Sequence, residues 1–196
     1  LFYEKIKVPA PTFCPECRDI RRIIWRNERT LYKNKCSSCD KSIITIYSPD
    51  KQYKVFCEKC FHGDKWSALD YGIDVDFSKP FLNQLKELQL EIPRLYAMVF
   101  QNYNSDYTNG AAFNKNSYLA FVSDYNEDSM YLYAVDKCKN TLDCLNSNEC
   151  ELCYEDISCN KCYSTFFSQN CSNSQGLIFC KNCSNCSDCI MCVNLR

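Results

Sequence analysis

Cysteine recurs at every third position at the end of this chain, at Cys180, Cys183, Cys186, Cys189 and Cys192, and the same step runs back to Cys138. Between Cys138 and Cys192 every rung of the ladder is Cys, Ser or Thr except Asp156 and Leu177. A second spacing lies on the first. Cys138, Cys159 and Cys180 are 21 residues apart, as are Cys150, Cys171 and Cys192, and Cys162 and Cys183. A fixed period in the twenties implies one coil per repeat, each coil burying its inward face against the next. The expectation is a right-handed parallel β-solenoid with coils of about 21 residues, its matching residues stacked about 4.8 Å apart. Tyr107 to Arg196 has two glycines and no proline, with many Asn, Ser, Thr, Tyr and Phe, which suits short strands and tight corners. Asn126, Asn148, Asn170 and Asn182 are the candidate corner residues, because Asn tolerates left-handed backbone.

Three chemistries fit the twelve cysteines of the ladder. Free Cys is small, apolar and readily buried, so the thiols serve as core filler. Alternatively, Cys150/Cys153, Cys159/Cys162, Cys180/Cys183 and Cys189/Cys192 are C-x-x-C half-sites for a metal or an iron–sulfur cluster. Disulfides across the coils are the third, and need an oxidising compartment. Ser and Thr at Thr141, Ser147, Thr165 and Ser168 favour packing, since they match cysteine in size and not in ligation.

The first part of the chain uses cysteine differently. Cys36-Ser-Ser-Cys39 and Cys57-Glu-Lys-Cys60 flank a segment that reads as strand 42–47, turn 48–51 and strand 52–56, with Pro49 placed for a type I turn. A hairpin that joins two such knuckles gives four thiolates for a closed zinc site, and a unit this small depends on the metal to fold. Cys14-Pro-Glu-Cys17 is a third knuckle. Its partner is either Cys36/Cys39, which orphans Cys57/Cys60, or a pair outside this sequence. The paired cysteines predict a reducing, cytoplasmic location.

Arg18 to Arg29 divides at 100° per residue into an apolar side of Ile20, Ile23, Ile24 and Leu31 and a basic side of Arg18, Arg21, Arg22, Arg26 and Arg29 with Trp25 among them. Guanidinium groups beside an indole suit phosphate contact with base stacking, so these six residues are the nucleic-acid candidates. A solvated helix face is the plainer alternative. Further on, Ser78 is the expected cap of a helix with Pro80 in its first turn, and its stripe of Phe81, Leu85, Leu88 and Ile92 is expected to close the first solenoid coil.

Charge divides the chain in the same place as composition. Residues 1–66 hold 14 Lys/Arg against 8 Asp/Glu, and residues 104–196 hold 6 against 11, beneath a net charge of −1. The expected organisation is a basic zinc-ribbon-like head at 1–66, a helical linker and cap at 67–103, and solenoid repeats at 104–196. No 18-residue apolar run is present, so no membrane contact is expected. His62 is the only histidine and there are four glycines, which leaves neither a Ser/His/Asp set nor a phosphate loop. The chain therefore reads as non-catalytic, with no small-molecule substrate evident.

P-x-P-T-F-C-P-E-C-R at 9–18, R-N-E-R-x-L-Y-K at 26–33, I-Y-S-P-D-K at 46–51 and D-K-W-x-x-L-D-Y-G at 64–72, followed by the Cys/Asn/Tyr repeats, resemble an uncharacterised cysteine-rich family of candidate-phyla bacteria. The likeness covers essentially the whole chain, and its motifs are specific in the head and degenerate in the tail. It implies longer relatives, with a C-x-x-C pair upstream of Cys14/Cys17 and further repeats downstream, and it implies no activity. The residues themselves point to a zinc-binding interaction protein, its head on RNA or a ribonucleoprotein and its solenoid a scaffold for a protein partner. A self-assembling solenoid and a thiol or iron–sulfur redox protein are the alternatives.

Overall fold

The computed structural model describes residues 2–24 and 27–194. Helix α1 (Phe2–Lys5) precedes α2 (Pro15–Ile23), where Pro15 sits in the first turn and its missing N–H costs nothing. In the head, β1 (Tyr32–Lys35) and β2 (Ser42–Thr45) pair antiparallel, and β3 (Val55–Phe56) runs into α3 (Glu58–Phe61). A 3-10 turn (Ala68–Tyr71) and α4 (Phe81–Glu91) then lead to β4 (Arg94–Leu95) and β5 (Val99–Phe100).

The expected hairpin over 42–56 is corrected. Cys36 to Cys39 is itself the turn of a hairpin, because Asp40 takes left-handed backbone (φ 58°) and sends the chain straight back along β1. β2 is thus paired before the chain reaches β3, which pairs in parallel with β4 instead. The turn between them is as expected: the Lys51 N–H donates to the Ser48 carbonyl at 3.0 Å.

From Val99 onward every parallel pair has an offset of 12, from Val99↔Ala111 through Lys115↔Glu127 and Glu127↔Lys139 to Lys181↔Val193. The chain is a β-solenoid of about eight turns. Left-handed backbone recurs at Tyr125, Asp128, Tyr131, Ala134, Lys137 and Asn140, so each wall is three residues long and four walls close one coil. The 21-residue coil is therefore wrong. Both spacings are multiples of three and keep a residue facing inward, but a 21-residue step ends on a different wall. The corners also differ from expectation. Asn170 and Asn182 do occupy them, whereas Asn126 points into the core and Asn148 lies between corners.

The inward rungs do more than fill space. At most Ser, Thr and Cys rungs the side chain donates to the carbonyl two residues back, as Ser129 does to Glu127 at 2.7 Å, Thr141 to Lys139 at 3.1 Å and Cys144 to Leu142 at 3.3 Å. The same side chain accepts the inward backbone N–H of the next coil: Thr141 N–H on Ser129 Oγ at 3.1 Å, Cys150 N–H on Cys138 Sγ at 3.2 Å, Cys180 N–H on Ser168 Oγ at 3.2 Å. Inward N–H groups cannot reach a neighbouring strand, and buried donors need partners. Ser, Thr and Cys interchange on the ladder because each is a small side chain that both donates and accepts.

In the first coils asparagine takes this role. Asn114 and Asn126 stack one coil apart, with Asn126 Nδ2 donating to Asn114 Oδ1 at 3.0 Å and to the Val135 carbonyl at 2.9 Å.

The head closes the open end of the solenoid. Thr45 Oγ1 and the Ile46 N–H donate to the Tyr96 carbonyl at 2.7 and 3.1 Å, Gln101 N–H reaches Glu58 Oε1 at 3.2 Å, and Asn109 Nδ2 reaches the Glu28 carbonyl at 3.2 Å. Tyr96 packs against Cys36, Ile43, Val55 and Cys57, so head and first coil share one small core. Of the α4 stripe, Phe81 is exposed and Leu85, Leu88 and Ile92 are half-buried, and α4 is tied to the head through Lys54 and Glu91 at 2.5 Å. Ser78 is not its cap. Asp76 Oδ1 accepts both the N–H and the hydroxyl of Ser78, at 3.0 and 2.6 Å, and Pro80 occupies the cap position.

Among the described residues no helix is long and apolar enough to cross a membrane.

Candidate metal centre

The two knuckles meet. Cys36, Cys39, Cys57 and Cys60 bring all four sulfurs within 4.8 Å of one another, a group that can hold a metal ion. Local backbone sets this geometry. The β1–β2 turn presents Cys36 and Cys39, and the α3 entry presents Cys57 and Cys60, with the Cys60 and Phe61 N–H groups turned back on the Cys57 carbonyl at 3.0 and 2.9 Å. The Ser37 N–H to the Val55 carbonyl at 2.8 Å, and the Val55 N–H to Ser37 Oγ at 3.1 Å, fasten one knuckle to the other.

The sulfurs are electrostatically unequal. Burial pushes the Cys36 thiol up, but N–H groups of Cys57, Ser38 and Cys39 aimed at its sulfur outweigh that and hold it at about 6, a thiolate at neutral pH. Burial, with the neighbouring thiols, pushes Cys57 up to about 12. Cys39 Sγ lies 3.8 Å from Cys57 Sγ. One thiolate held by backbone donors beside protonated thiols is a site that a cation completes by displacing protons.

The other candidates fare differently. Cys14 and Cys17 are exposed, and Cys14 Sγ accepts the Cys17 N–H at 3.4 Å as the cap of α2. Among the described residues no further ligand atom joins them in a metal-sized group. Since Cys36 and Cys39 gather with Cys57 and Cys60, they do not serve as partners for Cys14/Cys17. Of the basic stripe, Trp25 and Arg26 lie outside the described residues. Arg18 donates to the Tyr3 hydroxyl at 3.2 Å, Arg22 pairs with Asp19 at 2.8 Å, and Arg21 lies over the Phe13 ring. Arg29 is not on the helix at all: α2 ends at Ile23, and the Arg29 guanidinium stacks 4.0 Å from the Tyr133 ring centroid on the solenoid.

A second thiol group, in the solenoid, joins the half-site Cys150/Cys153 to one member of the half-site Cys159/Cys162. Cys150, Cys153 and Cys162 are buried with their sulfurs within 4.8 Å of one another. Cys150 and Cys162 stack one coil apart, and Cys153 is the next rung after Cys150. The signal was present in the Cys150/Cys153 pair, but only the 12-residue coil identifies Cys162 as its neighbour. Neighbouring thiols Cys150 and Cys162, followed by the Thr165 hydroxyl, outweigh burial and hold Cys153 at about 4.

The four walls also differ in chemistry. One carries Lys115, Glu127 and Lys139 in a stacked column, paired at 2.7 and 3.5 Å. A second carries Asp124, Asp136, Asn148, Asn160, Ser172 and Ser184 along its middle column, and a third carries Phe121, Tyr133, Leu145 and Ile157 before Gln169 and Lys181. The fourth is apolar along its middle column for seven coils: Tyr118, Met130, Leu142, Tyr154, Phe166, Ile178 and Ile190. Beside it the corner column runs Leu119, Tyr131, Asp143, Glu155, Phe167, Phe179 and Met191, with Phe167 and Phe179 stacked at 5.0 Å. Phe179, Ile190 and Met191 are 52, 64 and 73 % exposed.

Compared with known proteins, the chain matches no family model, no curated protein and no solved structure.

Proposed function

We propose that the protein is a non-catalytic interaction protein, a zinc-ribbon head that seats and closes a β-solenoid scaffold. Zinc is the ion that the head's ligand set favours. Structural zinc takes four thiolates in a tetrahedron with Zn–S of about 2.3 Å, which places sulfurs about 3.8 Å apart. The Cys39–Cys57 separation of 3.8 Å already has that value.

The observation that carries the scaffold reading is the apolar wall. One wall keeps large apolar side chains at its surface over seven coils, about 34 Å at about 4.8 Å each. A continuous apolar column of that length marks a contact surface. Its occupant is a second copy of the chain. Apolar side chains repeat here at the coil spacing, and sheet faces with the same spacing interdigitate when they pack about 10 Å apart. Sedimentation velocity of the zinc-loaded chain should show a dimer that builds up with concentration, and Phe179→Lys should abolish it while leaving the β-sheet circular dichroism unchanged. A wild-type chain that stays monomeric up to about 100 µM, an energy of roughly −5.5 kcal/mol, would rule this reading out.

RNA contact by the head is the second reading, favoured by an α2 that buries none of its residues. Arg21 and Arg22 are then the contacts, and Arg21→Glu with Arg22→Glu should weaken RNA retention and flatten its salt dependence. No retention of the wild-type chain on RNA at low salt excludes it.

A further inference from the structure

The solenoid contains one place where rung thiols converge. Cys150 Sγ and Cys162 Sγ are 3.8 Å apart, and Cys153 Sγ completes a triangle within 4.8 Å. All three residues are 2 % exposed. Among the described residues no other set of core cysteines forms such a group, although nine further thiols line the same interior. A cation about 2.3 Å from three sulfurs in a plane needs them about 4.0 Å apart, so no pair of the triangle has to close by more than about 0.8 Å.

Ligand number then selects the ion. Zinc in a structural site is four-coordinate, and a fourth donor is not at hand. Cys138 touches Cys150 and Cys159 touches Cys162, but neither sulfur lies within 4.8 Å of all three, and Thr165 Oγ1, 3.1 Å from Cys153 Sγ, is held by the buried carboxylate of Asp156. Soft thiolates select Cu(I), zinc or iron–sulfur clusters, and with zinc and the clusters short of a fourth ligand Cu(I) is the ion left.

We propose that Cys150, Cys153 and Cys162 form a second metal site, inside the solenoid, that takes one Cu(I) ion in three-sulfur coordination. Each sulfur that binds as thiolate gives its proton to solvent, and the ion keeps its oxidation state. Ligation also ties two successive coils together across two walls.

The test uses the full chain, reduced and anaerobic, with the head filled by zinc. One equivalent of Cu(I) is supplied from a chelator buffer, and copper and zinc per chain are counted after desalting. The expected result is one copper with the zinc retained, and X-ray absorption showing three sulfurs near 2.3 Å. Cys153→Ser should weaken copper uptake at least tenfold. Cys144→Ser, a core thiol outside the triangle, should leave it unchanged. Copper that stays on the chelator, displaces the head zinc, or binds Cys153→Ser as well as wild type overturns the proposal. So does uptake of two zinc ions per chain, which would mean a fourth ligand exists. Should Cys153→Ser fail to fold, the wild-type stoichiometry and sulfur count still decide.

Discussion

Replacing Cys57 by Ser, or stripping the metal with a chelator, should unfold the head and leave the solenoid standing. The head's buried apolar residues are Cys36, Ile43, Val55 and Cys57, with Tyr47, Tyr53, Phe56, Cys60 and Tyr96 packed around them. Two of the four buried members are ligands, so losing the ion removes the centre of the core as well as its bond energy. Ligation of a four-thiolate zinc site contributes on the order of 10 kcal/mol, more than so small a unit retains without it. Hydrogen exchange reads the outcome by region. Amides of 32–62 should lose protection, and the loss should spread to Tyr96 and Val99, whose coil the head closes through Thr45 and Ile46. Amides of the coils beyond Ser123 should stay protected, because their partners lie in neighbouring coils. Retained protection of 32–62 in the metal-free chain would show that the four sulfurs are not what holds the head.

The four head cysteines were legible because a C-x-x-C pair and its mate carry their geometry in their own spacing. The hairpin was not. Ser42–Thr45 and Val55–Phe56 are both strand-like, and nothing local says that the first pairs backwards with Tyr32–Lys35 and the second with Arg94–Leu95, some forty residues on. In the solenoid the three-residue step was visible because it fixes which residues face inward. Coil length was hidden for two physical reasons. The corners are held in left-handed backbone by Val122, Tyr125, Leu152 and Glu155 as readily as by Asn, so no Gly or Asn turn signal marks them. And one stacked column reads Thr108, Ala120, Leu132, Cys144, Asp156, Ser168, Cys180, so residues one coil apart share neither identity nor chemistry and no 12-residue repeat stands out. The arginine stripe was misread in part for a simpler reason: helical periodicity was extended past Ile23, where the helix stops.

The inward hydrogen bonds separate two kinds of rung that composition treats alike. Asn126 Oδ1 accepts the Cys138 N–H at 3.0 Å, and its Nδ2 donates to Asn114 Oδ1 at 3.0 Å and the Val135 carbonyl at 2.9 Å, all in the interior. Asn126→Leu therefore strips the side-chain partner from a buried N–H and a buried carbonyl, while Asn114 Oδ1 keeps the backbone N–H of residue 126 at 2.9 Å. At about 1–3 kcal/mol for each buried group left unsatisfied, the substitution should cost about 2–6 kcal/mol, offset only partly by the apolar volume gained. Cys159→Ala is the contrasting case. Its sulfur contacts carbonyl oxygens only at 4.0 and 3.7 Å, so the change loses a little packing and should cost about 1 kcal/mol. Urea unfolding of the solenoid, followed by circular dichroism with the head kept loaded with metal, measures both. A large gap between the two midpoints means that the ladder is specified by hydrogen bonding; equal, small shifts would mean that its side chains are filler and that inward N–H groups find partners without them.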